Sequence, residues 1–362
     1  MPVGALLAQT GASIPAPTGN LQIFWFLLIG ILWIGYFFLE GFDFGVGILL
    51  PFLGHDDLDR RVLINTIGPV WDGNEVWLLV AGGATFAAFP RWYAILFSGF
   101  YLPLLLILLA LIVRGVAFEF RGKNQLPLWR ATWDRVIFWG SLLPALLWGV
   151  AFADFVGGVP LGRGGHFVAG FWHLLTPYAL LGGVTFLALV ILHGATFLSL
   201  RTDGEMAERT RRAARRIAPV TLAAVVAFLS WTFVNATHAH DKGIVPGFVP
   251  ILAIVVVGAA GWLVSEKLDG WAFIATGVGC VLVVSTLLLN LYPRVLVSSV
   301  APRFDLTIAN TASAHYTLVV MTIVAAIFTP FVLIYQGWSY WVFRQRVRRP
   351  GSPPTTASPG PA

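Results

Sequence analysis

Nine apolar stretches, at 22–50, 68–90, 94–117, 134–157, 174–200, 216–236, 248–265, 271–291 and 316–342, leave this chain little choice of fold. A spanning helix takes about 20 mostly apolar residues, and in lipid only helices and closed barrels satisfy their own backbone polar groups. Runs this long read as helices. The expected fold is an all-α integral membrane protein with about nine transmembrane helices. Composition agrees: 57% of the residues are hydrophobic and 11% charged, against roughly 25% charged in soluble domains. The second stretch is the least secure, because Asp72, Gly73, Asn74 and Glu75 fall inside it.

Charge orients the helices. Counting nine from an N-terminus outside places every basic residue on the inner side except Arg91, Arg163, Lys242, Arg294 and Arg303, as the positive-inside rule asks. Dropping the second stretch would strand Arg60 and Arg61 outside. The N-terminus is expected outside and the C-terminus inside. The net charge of +6 reports this orientation and not nucleic-acid binding, since Lys and Arg are sparse and confined to short loops. The pairs Arg211-Arg212 and Arg215-Arg216, with Arg209, suit anchoring to anionic headgroups. A single cysteine, Cys280, excludes an internal disulfide and a thiolate-held iron–sulfur cluster.

A faint internal repeat divides the chain. Leu39-Glu40-Gly41-Phe42-Asp43-Phe44 echoes Leu192-His193-Gly194-Ala195-Thr196-Phe197, and Ile67-Gly68-Pro69-Val70 echoes Ile217-Ala218-Pro219-Val220. The expected organisation is an extracytoplasmic segment 1–21, two pseudo-repeated four-helix bundles at 22–157 and 158–291, and a peripheral transmembrane helix with its preceding loop at 292–342. Residues 343–362 read as a disordered cytoplasmic tail. Segment 1–21 lacks a basic residue before its short apolar run, which argues against a cleaved signal peptide.

Four carboxylates lie in or beside the first two stretches: Glu40 and Asp43, then Asp72 and Glu75. An ionisable group at the centre of a membrane helix costs roughly 2.5–3.5 kcal/mol on insertion scales, so the default reading is a path for protons or ions. The members of each pair are three apart and share a helix face. A hydrogen-bond knot between helices, or plain hydration at the interface, are the bland alternatives. In the expected topology all four converge on the cytoplasmic half, with Arg114 and Glu119 closing the third stretch on the same side. Arg114 either snorkels to the interface or pairs with Asp72 or Glu40. Glu119 suits a collecting group at the mouth. The second copy of the repeat lacks these acids: Leu222 stands where Asp72 would be. The seven histidines match no metal or haem motif, and His173, His193 and His315 are isolated. This chain is expected to bind neither haem nor metal.

Glu40-Gly41-Phe42-Asp43-Phe44-Gly45-Val46-Gly47, Arg60-Arg61 followed by Asn65, and Trp71-Asp72-Gly73-Asn74-Glu75-Val76-Trp77 give the chain its most specific pattern. By these residues, extended by Ala81-Gly82-Gly83-Ala84 and Phe97-Ser98-Gly99-Phe100-Tyr101, it resembles subunit II of the cytochrome bd-type quinol oxidases. Weaker similarity through Trp129-Arg130, Tyr292-Pro293 and Leu333-Ile334-Tyr335 covers nearly the whole length.

The resemblance implies a subunit of a bacterial cytoplasmic-membrane terminal oxidase, which couples quinol oxidation to reduction of O2 to water. It implies that haem b and haem d sit in a partner, subunit I, and that a small single-helix subunit and a structural quinone accompany some relatives. It places Asp72 nearest the haem pocket at the end of a cytoplasmic proton path, with Glu40, Asp43, Arg114 and Glu119 along it; Glu75 joins the expected path on its own intramembrane charge and not by the resemblance. Trp77 matches a position beside an O2 channel. The chain departs from the family pattern in having Glu at 40 and 119, where several relatives have Asp, and Glu75 where they have Gln. The runner-up from another class is a secondary proton-coupled transporter, which the repeat and the intramembrane acids fit and the chemical inequality of the halves opposes. A purely structural subunit is a third reading.

Overall fold

The computed structural model describes residues 19–238 and 247–350. The expectations for 1–18, for the loop residue Lys242 and for 351–362 lie outside the described residues. The described chain is a helical bundle whose axis is α1 (Asn20–Leu53), a 34-residue helix closed by Gly54. α2 (Asp57–Ile67) follows, its start capped by Asp56, which accepts from the Asp59 N–H at 2.8 Å. After the turn Gly68-Pro69-Val70 come α3 (Trp71–Ala88), α4 (Pro90–Gly99) and α5 (Tyr101–Phe120). α6 (Pro127–Gly157), α7 (Pro177–Arg201), α8 (Gly204–His238), α9 (Val249–Ser265) and α10 (Asp269–Leu291) complete the two halves. A small antiparallel ribbon of β1 (Arg294–Leu296) and β2 (Leu306–Thr307) leads through α11 (Ile308–Thr311) to α12 (His315–Val342). Proline opens α4, α6, α7 and α9 within their first two positions, where its missing N–H and fixed φ suit a helix start.

The all-α membrane fold stands, while the exact count of nine spans does not follow from the helices. Among the described residues seven helices are long and apolar enough to cross a membrane. The expected spans at 68–90 and 248–265 are α3 and α9, of 18 and 17 residues, or about 27 and 26 Å at 1.5 Å per residue, a little short of a hydrocarbon core about 30 Å thick. The second expected span also starts late, because its first three residues form a turn and not helix. Pro69 cannot donate a backbone N–H, and the turn at 68–70 separates α2 from α3.

The halves pack alike. α1 lies on α6 as α7 lies on α10, and α5 lies on α6 as α9 lies on α10. The two echoed segments meet at the crossing of α1 and α7, where a Cβ on Gly45 would sit 2.1 Å from the Val190 carbonyl oxygen. Only glycine permits that approach, the small-residue logic of helix packing in lipid. Beside it Phe42 stacks on Phe197 at 4.1 Å. Further along α1, Trp33 meets Trp148 edge-on at 4.9 Å and Phe37 meets Phe186 at 4.7 Å. α12 is peripheral, with almost none of its apolar stretch buried.

One end of the bundle carries a belt of ion pairs. Arg121 bridges Asp134 at 2.5 Å and Asp57 at 2.9 Å, Arg209 reaches Asp59 at 2.6 Å, and Arg211 reaches Asp269 at 2.6 Å. Residues 343–350, expected as the start of a disordered tail, are instead pinned to this belt. Arg349 binds Asp56 and Asp59, each at 2.6 Å, and Val347 bridges to Thr202. Arg346 and Arg348 add Asp269 and Asp203, so acids at the starts of α2 and α10 and just before α8 hold them by charge.

Candidate functional site

Glu40 and Asp43 lie on α1 at about 20 and 15 Å from its C-terminal end, taking 1.5 Å per residue, and both are wholly buried. Interfacial hydration is therefore not their environment within this chain. Arg114, one of the largest fully buried side chains, points in from α5 and donates from Nη1 to Glu40 Oε1. Gly140 of α6 makes room for it: a Cβ there would fall 2.7 Å from Arg114 Cβ. The guanidinium also lies 4.9 Å over the Phe44 ring and 5.3 Å over Phe118, the face a cation favours.

Asn74 is the hub. It sits one turn after the 68–70 break, completely buried, and its Nδ2 donates to Asp43 Oδ2 at 2.7 Å. Its Oδ1 accepts from Tyr340 Oη at 2.7 Å and Gln336 Nε2 at 3.1 Å, both on α12. Gln336 Oε1 in turn accepts from Trp77 Nε1 at 2.7 Å. One amide thus ties α1, α3 and α12 together.

The cluster is rich in polar atoms facing inward with no protein partner. Glu40 Oε2, Asp43 Oδ1, Glu75 Oε2, Arg114 Nε and Nη2 and Tyr36 Oη are buried without one among the described residues. Roughly 90% or more of buried polar groups in proteins are paired, so six such atoms in one region set it apart from ordinary helix packing.

The expected site residues separate into two groups. Glu40, Asp43, Glu75 and Arg114 come together in the buried cluster. Asp72 is exposed in the first turn of α3, with its Oδ1 accepting only the Gly73 N–H at 2.7 Å, and Glu119 is exposed near the end of α5. Asp72 and Glu75, alike in spacing, differ in burial: one looks outward and the other into the cluster. Trp77 packs on Gly35, where a Cβ would meet its ring at 2.3 Å. It does not line the apolar cavity of about 400 Å³ that lies between α1, α3, α4, α5, α6 and α10. That cavity is walled by Trp33, Leu78, Gly83, Trp92, Phe97 and Trp148, and the indole N–H groups of Trp92 and Trp148 have no partner among the described residues.

A sequence profile of the family described as cytochrome bd terminal oxidase subunit II matches residues 21–343. This chain belongs to that family. It is 46% identical over 328 residues to the cytochrome bd ubiquinol oxidase subunit 2 of Bacillus subtilis (strain 168), covering 91% of this chain and 97% of that one. It is 36% identical over 362 residues to the cytochrome bd-I ubiquinol oxidase subunit 2 of Escherichia coli (strain K12), covering 91% and 96%. The fold is similar to that in the structure of bd oxidase from Geobacillus thermodenitrificans, with a TM-score of 0.71 at 16% identity over 90% of this chain and 97% of that one. The chain is thus a multi-pass membrane subunit of a terminal oxidase family.

Among the described residues no group of three His, Cys, Asp or Glu is placed to hold a metal ion. His193 is buried with Nδ1 on Thr276 Oγ1 at 2.8 Å and Nε2 on the Phe38 carbonyl at 3.1 Å, and its ring stacks on Phe273 at 4.8 Å. Both nitrogens are committed to the fold. Sequence reasoning assigned no role to Tyr36, Gln336 or Tyr340. The last two had a visible signal: Gln336 is the single amide in 316–342, and Tyr340 stands four residues on, hence on the same face.

Proposed function

We propose that this chain is the haem-free subunit of a membrane quinol:O2 oxidoreductase. In this reading it scaffolds a subunit I that holds haem b and haem d, and it conducts cytoplasmic protons to the O2-reducing site. The observation that carries the reading is the pairing of an exposed carboxylate, Asp72, with an inward-facing acid cluster in which Glu40, Asp43 and Glu75 each keep one oxygen without a protein partner among the described residues. Protons enter past Glu119, pass among Glu75, Glu40 and Asp43, and leave through Asp72, which the exposed face of α3 presents to the adjoining subunit. Arg114 adds selectivity. A fixed guanidinium in a site sealed from water repels bare metal cations, while protons still pass by exchange along hydrogen bonds. Such selectivity is needed because each charge crossing 100 mV is worth about 2.3 kcal/mol.

The first unit, 22–157, carries this chemistry, and the second, 158–291, carries packing. The N-terminus lies outside and the ion-pair belt lies at the cytoplasmic face. A structural quinone fits the apolar cavity: pockets of roughly 300–1,000 Å³ take ligands of that size, and the Trp92 and Trp148 indoles offer N–H donors to ring carbonyls. The quinone would add a buried electron acceptor there. A small single-helix subunit would cover part of the exposed apolar surface.

The test is Asp72→Asn in the assembled oxidase. Oxygen consumption is expected to fall about tenfold or more, which is about 1.4 kcal/mol or more on the limiting barrier, with assembly and haem spectra preserved. Turnover near the wild-type rate rejects the relay role.

A further inference from the structure

At the charged end of the bundle, α1 and α8 part to leave a groove with about 530 Å³ of room, floored by Ile191 of α7. Its walls change character along their length. On α8, Arg209, Arg212 and Arg216 are spaced three and four apart and so share one face. Ile217 follows at once, and the helix beyond it is apolar through Phe228. On α1, Phe52 and Ile48 line the facing wall, with His55 at the open end. One end of the groove is therefore cationic and the other hydrocarbon-like, with the change at the level where α8 turns apolar.

The three arginines differ in what they are free to do. Arg209 is committed to the fold through Asp59 at 2.6 Å, the Leu53 carbonyl at 3.1 Å and Glu205 at 3.0 Å. That last contact also neutralises the acid at the groove's rim. Arg212 is exposed and touches only the Glu208 carbonyl, at 3.4 Å. Arg216 is exposed and has no hydrogen bond or ion pair among the described residues. Elsewhere on this end of the bundle Arg60, Arg121, Arg130, Arg211 and Arg349 all meet carboxylates. Two arginines one turn apart, left without acids beside an apolar slot, call for an anion that carries its own hydrocarbon.

We propose that this groove binds one anionic phospholipid, its phosphate held by Arg212 and Arg216 and an acyl chain laid along Ile48, Phe52, Ile191 and Ile217. Guanidinium forks match phosphate oxygens two at a time, and the order of charge and apolar surface reproduces that of a lipid standing in a leaflet.

The experiment uses the intact oxidase complex, stripped of lipid in detergent and titrated with phosphatidylglycerol under native mass spectrometry. The wild type is expected to fill one site ahead of all others. The exposed double variant Arg212→Gln/Arg216→Gln should weaken that first step about tenfold while keeping wild-type haem spectra, since neither side chain holds the fold together. Phosphatidylcholine should not fill the site, and millimolar inorganic phosphate should not empty it. Equal first-step binding by wild type and variant, or by the zwitterionic lipid, overturns the proposal. Displacement by inorganic phosphate overturns it too, by making the groove a site for a free anion.

Discussion

The Glu40–Arg114 pair shows what burial does to an interaction that would be weak at a surface. Both side chains are wholly enclosed, so removing one leaves the other charged and unpartnered. Such single deletions cost about 3–5 kcal/mol, whereas replacing both partners with neutral groups costs far less. Arg114→Met alone should therefore lower the thermal midpoint of the complex or its yield sharply, and Glu40→Gln/Arg114→Met should restore much of the yield but not the turnover. If the single and double variants fold equally well, the pair contributes little to assembly. Asn74 makes a second residue-scale case. Asn74→Leu removes two acceptor contacts and two donor contacts at once, and an orphaned buried polar group costs about 1–3 kcal/mol. Tyr340→Phe, which removes one of those contacts, should be the milder change by about half on the same thermal measurement. The acids and Arg114 were legible in the sequence because charge in an apolar run stands out. The hub was legible only in part, because Asn74 offers a donor and an acceptor on its face while the partners it takes lie 31, 262 and 266 residues away.

Between elements, the tightest constraint is the crossing of α1 and α7. Gly45→Val puts carbon where the Val190 carbonyl lies, and overpacking of this kind costs typically about 1–3 kcal/mol. It should appear as loss of assembled complex in membranes, with Gly73→Ala, where a Cβ meets nothing within 4 Å, as the tolerated control. The clamp on residues 343–350 carries a pH dependence. Asp56's carboxyl is held below the usual carboxylate range by the Asp59 N–H and then by Arg349. A depressed value means the contact is fully present above the unfolded carboxylate value of about 3.9 and is lost as pH falls through the folded one. The mobility of a spin label placed at residue 345 should therefore rise on acidification below about pH 4. A mobility that ignores pH there removes Asp56 from the clamp. Helix identity was readable from apolar length, whereas the cut at 68–70 and the pinned residues after 342 were not. The former depends on one proline within a polar stretch, and the latter on arginines whose partners lie far away in the chain.

Seen whole, the molecule is two similar packings with unequal contents. The second half keeps the glycine of the crossing but replaces the acids with His193, Thr196 and Leu222, and Leu222 packs toward Gly258. Leu222→Asp should insert poorly and bring no gain in oxygen consumption. Normal insertion would mean the second half tolerates charge better than its packing suggests. The family could be read from sequence because its motifs gather in one block, and the number of spans could not, because two helices fall near the length at which a bilayer stops deciding.

The hub has a consequence for biosynthesis. Gln336 and Tyr340 follow Asn74 by 262 and 266 residues, so until α12 has been made Asn74 has neither of its α12 donors. A message cut short between codons 292 and 336 yields a polypeptide that carries every helix through α10 yet never closes its polar centre. Unfinished copies are thereby kept from working by their own chemistry, with no separate inspector required.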